Sequence, residues 1–178
     1  MKTDLAAGTG QAANDIELAD RVRLFPNARV AVLGDVILDR YVTGSVHRLS
    51  PEAPIPVLRP NANRSTLGGA ANVALNIATL GGQTLLIGVI GDDAAGAETM
   101  ALVEAADGIA CRLVVAPGRP TTAKTRFLAG SHQLLRLDEE TTEPLPADIA
   151  AALLARFQAA LDWADVVVLS DYAKGVLC

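Results

Sequence analysis

Three short apolar runs limit the folds open to this chain. Arg29-Val30-Ala31-Val32-Leu33, Thr84 to Ile90 and Ala164 to Leu169 are rich in β-branched and aliphatic residues and carry no regular polar alternation. Runs of this kind belong to strands buried on both faces, as in parallel sheets covered by helices. The segments between them have helical character. Gly68-Gly69-Ala70-Ala71-Asn72 opens a small-residue helix through Leu80, stopped by Gly81-Gly82. Gly91-Asp92-Asp93 starts another through Met100, Leu102 and Val103, and Gly108 ends it before a strand from Cys111 to Val115. Asp148 to Leu161 is an amphipathic, alanine-rich helix. Strands alternating with helices predict an α/β fold with a largely parallel sheet.

Two regions break that rhythm. Tyr41 to His47 and Ile55 to Leu58 read as two short strands around Arg48-Leu49-Ser50-Pro51-Glu52-Ala53-Pro54. Prolines there favour a sheet edge, so residues 41–60 are expected to form a small β-flap standing off the main sheet, or an ordinary surface hairpin. Thr121 to Leu128 and Gln133 to Leu137 pair plausibly as antiparallel strands around Gly130-Ser131. At the other end, residues 1–13 read as a flexible lead. Asn14 or Asp15 caps a short helix through Ile16, Ala19, Val22 and Phe25, ended by Pro26-Asn27. The expected organisation is a lead and short helix over 1–27 and one domain over 28–178.

Composition narrows the partners. The 178 residues carry a net charge of -5 with 3% aromatics, and no basic stripe, which disfavours nucleic acid and anionic membrane. No apolar run is long enough to cross a bilayer, and the N-terminus lacks a signal peptide's apolar core, so a cytoplasmic protein is expected. Cys111 and Cys178 have neither metal-like nor redox-like spacing, and His47 and His132 are the only histidines. There is no P-loop, dinucleotide fingerprint or nucleophile elbow.

What is left is a set of polar groups at one edge of the sheet. Asp39 follows the first strand, in Gly34-Asp35-Val36-Ile37-Leu38-Asp39. Gly68, Gly69 and Asn72 sit at a helix N-terminus, where glycine permits positive φ and close approach. Asp171 and Lys174 follow the last strand. In open α/β sheets the carboxyl ends of the strands are where ligands bind. Carboxylates and a carboxamide can each hold more than one hydroxyl, so the set suits a neutral polyol or sugar. Each feature also has a plain reading: a tight helix entry for the glycines, a solvated turn or cap for Asp39. Lys124 and Arg126 share a strand face and together could hold a phosphate dianion, or could be a solvated strand face.

Gly34 to Asp39, Gly68-Gly69-x-x-Asn72 and Gly88-x-x-Gly91-Asp92-x-x-x-Gly96 resemble the first half of the ribokinase-like (PfkB) carbohydrate kinases. Arg48 to Val57, with its Ser-Pro-Glu-Ala-Pro core, and Ser170-Asp171-Tyr172-Ala173-Lys174-Gly175 resemble the branch of that family acting on D-glycero-β-D-manno-heptose 7-phosphate. The resemblance implies a ribokinase-like fold with a β-lid, ATP-dependent phosphorylation of the heptose 1-hydroxyl, and a role in ADP-heptose and lipopolysaccharide core synthesis. Asp39, Gly68, Gly69 and Asn72 match the family's sugar-contacting positions, and Asp171 and Lys174 match a segment lining the site. It also implies a homodimer through the lid. The family's later Asn-x-x-Glu and Gly-Ala-Gly-Asp segments, which serve ATP, Mg2+ and the catalytic base, do not occur after the Ser170 to Gly175 segment. The chain is therefore expected to lack the C-terminal half, with no catalytic or metal-binding residues of its own. Another sugar kinase of the family, fructokinase- or ribokinase-like, and a non-catalytic sugar-phosphate-binding module are the alternatives.

Overall fold

The computed structural model describes Asp20 and residues 22–177. Most of the proposed N-terminal helix, with Asn14, Asp15, Ile16 and Ala19, lies outside the described residues; Val22 is helical, and Phe25–Asn27 form a single 3-10 turn.

Four strands make the parallel sheet expected from the apolar runs. They are β1 (Arg29–Gly34), β4 (Gln83–Gly91), β5 (Ile109–Ala116) and β8 (Val166–Ser170), in the order β5-β4-β1-β8, every pair parallel. β1 is buried on both faces because successive side chains alternate sides. Val30 and Val32 join Leu86, Ile90 and Leu113 against helix α1 (Gly69–Thr79) and helix α2 (Ala94–Glu104). Ala31 and Leu33 join Ile87, Val89 and Val114 on the opposite face, against Leu153 and Ala160 of helix α3 (Ala147–Leu161). α1 buries only small side chains, Ala70, Ala71 and Ala74, which lets its axis approach the sheet closely. β8 is an edge strand, with Val166 and Leu169 exposed.

The remaining strands form a second, mixed sheet in the order β3-β2-β6-β7. It contains β2 (Val36–Leu49), β3 (Pro56–Gly68), β6 (Ala123–Ala129) and β7 (His132–Glu139). β2 pairs antiparallel with β3 and parallel with β6, and β6 pairs antiparallel with β7 as its turn residues suggest. The two short strands expected around Ser50-Pro51-Glu52 are in fact 14 and 13 residues long. The polar stretch Arg59 to Thr66 carries little apolar signal, yet it pairs with β2, with a register shift at Asn61. Edge position explains this. β3 ends the sheet, where Pro56 and Pro60 leave no ladder donor missing and polar side chains stay in water. The lid is thus a four-stranded sheet, fixed to the body by the Arg40 guanidinium on Glu98 of α2 at 2.6 Å.

Candidate functional site

Asp35 alone separates β1 from β2, so the chain changes sheets across one residue. Its side chain is buried at 1% exposure and accepts three backbone N–H groups, from Tyr172 (2.7 Å), Lys174 (3.1 Å) and Val176 (3.3 Å). Its own N–H donates to Ser170 O, and its carbonyl accepts Ala70 N–H at 2.9 Å. One residue therefore fixes the start of α1 and the loop after β8 together. A buried carboxylate is tolerable here because its lone pairs are satisfied.

The glycine pair is placed by the same contact. Gly69 has φ +55°, and a Cβ there would lie 2.2 Å from Asp35 O. A Cβ at Gly68 would lie 2.4 Å from Asp39 Oδ2. Both positions exclude a side chain, for different reasons. Asn72 stands exposed on the first turn of α1.

Asp39 lies within β2, four residues into the lid sheet's first strand, rather than just after β1. Residues opposite one another across a ladder share a face. One row across the four strands therefore reads Thr66, Asp39, Lys124, Asp138, and the next reads Arg64, Tyr41, Arg126, Arg136. Lys124 and Arg126 thus share the face of Asp39. Arg126 Nη1 donates to Asp39 Oδ1 at 2.5 Å. The guanidiniums of Arg64 and Arg126 sit 5.2 and 5.3 Å from the Tyr41 ring centroid, within cation–π range.

Lys124 Nζ donates to Asp138 Oδ2 (3.1 Å) and Glu140 Oε2 (3.0 Å), and Lys174 Nζ donates to Glu140 Oε1 (2.8 Å). The bond from Lys174, then that from Lys124, holds the Glu140 carboxyl below its ordinary range. Burial pulls the Lys124 ammonium down, but Glu140 and Asp138 more than offset this and its pKa is raised. Arg136 grips Asp138 through two bonds, 2.7 and 2.9 Å, and chiefly by that contact lowers its pKa. Arg119, from the loop before β6, donates to Glu143 O and Lys174 O, drawing the loops after β7 and β8 together. Asp171 is exposed and turned back on its own loop, accepting Ala173 N–H at 2.8 Å; Ala173 has φ +55°. A non-glycine residue in that region is costly and is held by its surroundings.

The structure thus gathers Asp39, Gly68, Lys124, Arg126 and Lys174 at the junction of the two sheets. Asn72 and Asp171 reach no partner in that network. A cavity of about 620 Å³ lies at the far end of the parallel sheet, between Gln83, Gly108, Arg112, Arg156 and Trp163. It contains none of the expected residues.

Residues 27–177 match the pattern of the pfkB family carbohydrate kinases. The chain belongs to that family. Relatives of this pfkB chain include the bifunctional protein HldE of Caulobacter vibrioides, 52% identical over 163 residues, covering 92% of this chain and 33% of that protein. The HldE protein of Azorhizobium caulinodans is 50% identical over 84% of this chain and 32% of its own length. The pfkB chain spans about a third of the length of these curated relatives. Its fold resembles that of a carbohydrate kinase from Agrobacterium tumefaciens, with TM-score 0.60, 20% identity, and coverage of 80% of this chain and 45% of that one. It also resembles Arabidopsis thaliana ribokinase complexed with ribose and ATP, with TM-score 0.56, 20% identity, and coverage of 80% and 45%.

Sequence reading of the pfkB chain missed Asp35, Tyr41, Arg64, Asp138 and Glu140 as members of this cluster. Cross-strand register carries most of them, and register needs strand lengths that the polar β3 concealed. Glu140 had no signal at all, because it meets Lys124 and Lys174 only through the fold.

Proposed function

We propose that this chain is the sugar-holding part of an ATP-dependent kinase. Its substrate is D-glycero-β-D-manno-heptose 7-phosphate, phosphorylated at the 1-hydroxyl on the way to ADP-heptose and the lipopolysaccharide core, in the cytoplasm. The observation that carries this reading is the shared face. Asp39, a hydroxyl acceptor beside two glycines, lies in the same cross-strand row as Lys124 and one row from Arg126. A polyol needs the first kind of group and a phosphate needs the second. The strong likeness to the HldE proteins supports the heptose assignment.

In this reading Asp39 accepts sugar hydroxyls through Oδ2, with Arg126 orienting its carboxylate. Gly68 and Gly69 let the sugar approach the backbone, and Asn72 adds a carboxamide on the first turn of α1. Lys124 and Lys174 take the phosphate on one side, and Arg126 on the other. Asp171 shapes the loop that carries Lys174.

The family implies ATP and Mg2+. Among the described residues no three His, Cys, Asp or Glu side chains gather as a metal-holding group. No step of the transfer is assigned to the residues here. The lid supports a homodimer: Ile55, Leu58, Phe127, Leu134 and Leu135 line an apolar recess of about 350 Å³.

A thermal-shift panel tests the substrate, because a ligand that binds the native state raises its apparent stability. Heptose 7-phosphate should give the largest shift in a set with heptose, fructose, fructose 6-phosphate, ribose and ribose 5-phosphate. A larger shift with a fructose or ribose compound would move the assignment to another sugar of the family.

A further inference from the structure

The two lysines placed at the phosphate end of the site are bridged by one carboxylate. Glu140 gives one oxygen to Lys124 at 3.0 Å and the other to Lys174 at 2.8 Å. The lysine side chains are only 16% and 17% exposed, and that of Glu140 is 25% exposed. We infer that Glu140 is a built-in competitor for the substrate phosphate, occupying the lysine contacts that the phosphate takes and yielding them on binding. This rests on the reading of Lys124 as a phosphate contact.

Three observations support it. First, the contact pattern is that of an oxyanion: two oxygens of one group, each on a different ammonium, as a phosphate would present them. Second, Glu140 belongs to no strand or helix. It is the first residue after β7 and lies six residues before the cap of α3, so its side chain can turn away without breaking a ladder. Third, its neighbours stay neutralised if it leaves. Asp138 retains Arg136 and Lys124, and Asp39 retains Arg126. Lys174 gives up its carboxylate and Lys124 one of its two, and a dianion with three acceptor oxygens replaces a monoanion with two. A neutral hydroxyl offers no such exchange, since it would leave the partly buried Lys174 without a carboxylate and Lys124 with Asp138 alone. The competitor therefore sharpens discrimination for phosphorylated over neutral ligands.

The alternative role for Glu140 is a structural clip joining the loops after β7 and β8. The two roles predict opposite effects of Glu140→Gln, which keeps the shape and removes the charge. Calorimetric titration with inorganic phosphate, and with heptose 7-phosphate beside heptose, reads them. A competitor predicts that Glu140→Gln binds inorganic phosphate and heptose 7-phosphate about tenfold more tightly, equivalent to about 1.4 kcal/mol, with heptose unchanged. A clip predicts equal or weaker phosphate binding, which overturns the inference. Glu140→Asp serves as a second variant: drawing the carboxylate back by one methylene should tighten phosphate binding in the same direction. Lys124→Met separates the two claims. If it weakens heptose 7-phosphate more than heptose while Glu140→Gln brings no gain, the phosphate contact stands and the competitor falls. If it weakens both sugars equally, the phosphate contact falls and the competitor with it.

Discussion

The Asp39 carboxylate is divided between two neighbours on different strands. Oδ1 takes the Arg126 guanidinium at 2.5 Å, while Oδ2 points at Gly68, where a Cβ would come within 2.4 Å. One oxygen is thus anchored and the other lies against Gly68, which has no side chain. In the proposed reading, the Arg126 contact holds the carboxylate still for an incoming sugar hydroxyl.

Asp39→Asn keeps the shape and removes the charge. A charge-assisted hydrogen bond is worth roughly 1.5–3 kcal/mol, and that much sugar affinity should be lost. Calorimetry with heptose 7-phosphate checks it, and unchanged affinity would remove Asp39 from the site.

Gly69→Ala should destabilise the fold itself. The new Cβ meets Asp35 O at 2.2 Å, and φ +55° is strained for any L side chain. A cost of about 1–3 kcal/mol is expected from the backbone strain alone. Urea denaturation of the variant measures it; a difference below about 0.5 kcal/mol, the range of neutral surface changes, would mean that the turn relaxes freely.

These two positions mark how far the sequence could be read. Apolar runs gave away β1 and β4 because strands buried on both faces leave no other use for consecutive aliphatic residues; β8 carries the same run although Val166 and Leu169 stand exposed at the sheet edge. The β6–β7 hairpin was legible from Gly130 at its turn. The glycine pair was legible as a helix entry, and Asp39 as a candidate, but its strand was not. β3 from Arg59 to Thr66 is polar because it is an edge, and edges carry little hydrophobic signal. Without β3 the lid looked small, and the rows that align Tyr41 with Arg64 and Lys124 with Asp138 were invisible. Asp35 was invisible for another reason: its partners are backbone N–H groups about 140 residues away, which no side-chain pattern encodes.

The Glu140 cluster should leave a trace in the pH dependence of stability. Glu140 has a folded-state pKa below its unfolded value of about 4.3. Its contribution is therefore complete above that value and is lost as pH falls through the lowered folded one. Lys124 has a raised pKa, so its contribution is complete below about 10.4 and is lost as pH rises through the raised value. The difference in melting temperature between the protein and Glu140→Gln should be flat from about pH 6 to 8 and shrink below about pH 4. A difference that grows on acidification would contradict the ion-pair assignment.

Association through the lid is testable at Leu135, which is 59% exposed beside the recess formed with Phe127, Leu58 and Ile55. Leu135→Asp places a charge where an apolar face would be buried. Sedimentation velocity should show a dimer for the unmodified protein and a monomer for the variant. A variant that sediments as the parent does would place the contact elsewhere.

If the proposed reading holds, the charged face of the lid sheet distinguishes a phosphorylated sugar from its parent. Lys124→Met tests it most directly, because no carboxylate is left alone: Asp138 keeps Arg136, and Glu140 keeps Lys174. The measurement is the ratio of calorimetric affinities for heptose 7-phosphate and heptose, in the protein and in the variant. This ratio should fall about tenfold or more, since a charge-assisted contact of about 1.5–3 kcal/mol is lost from the phosphate alone. A ratio unchanged by the substitution, with both sugars weakened alike or neither affected, would contradict it.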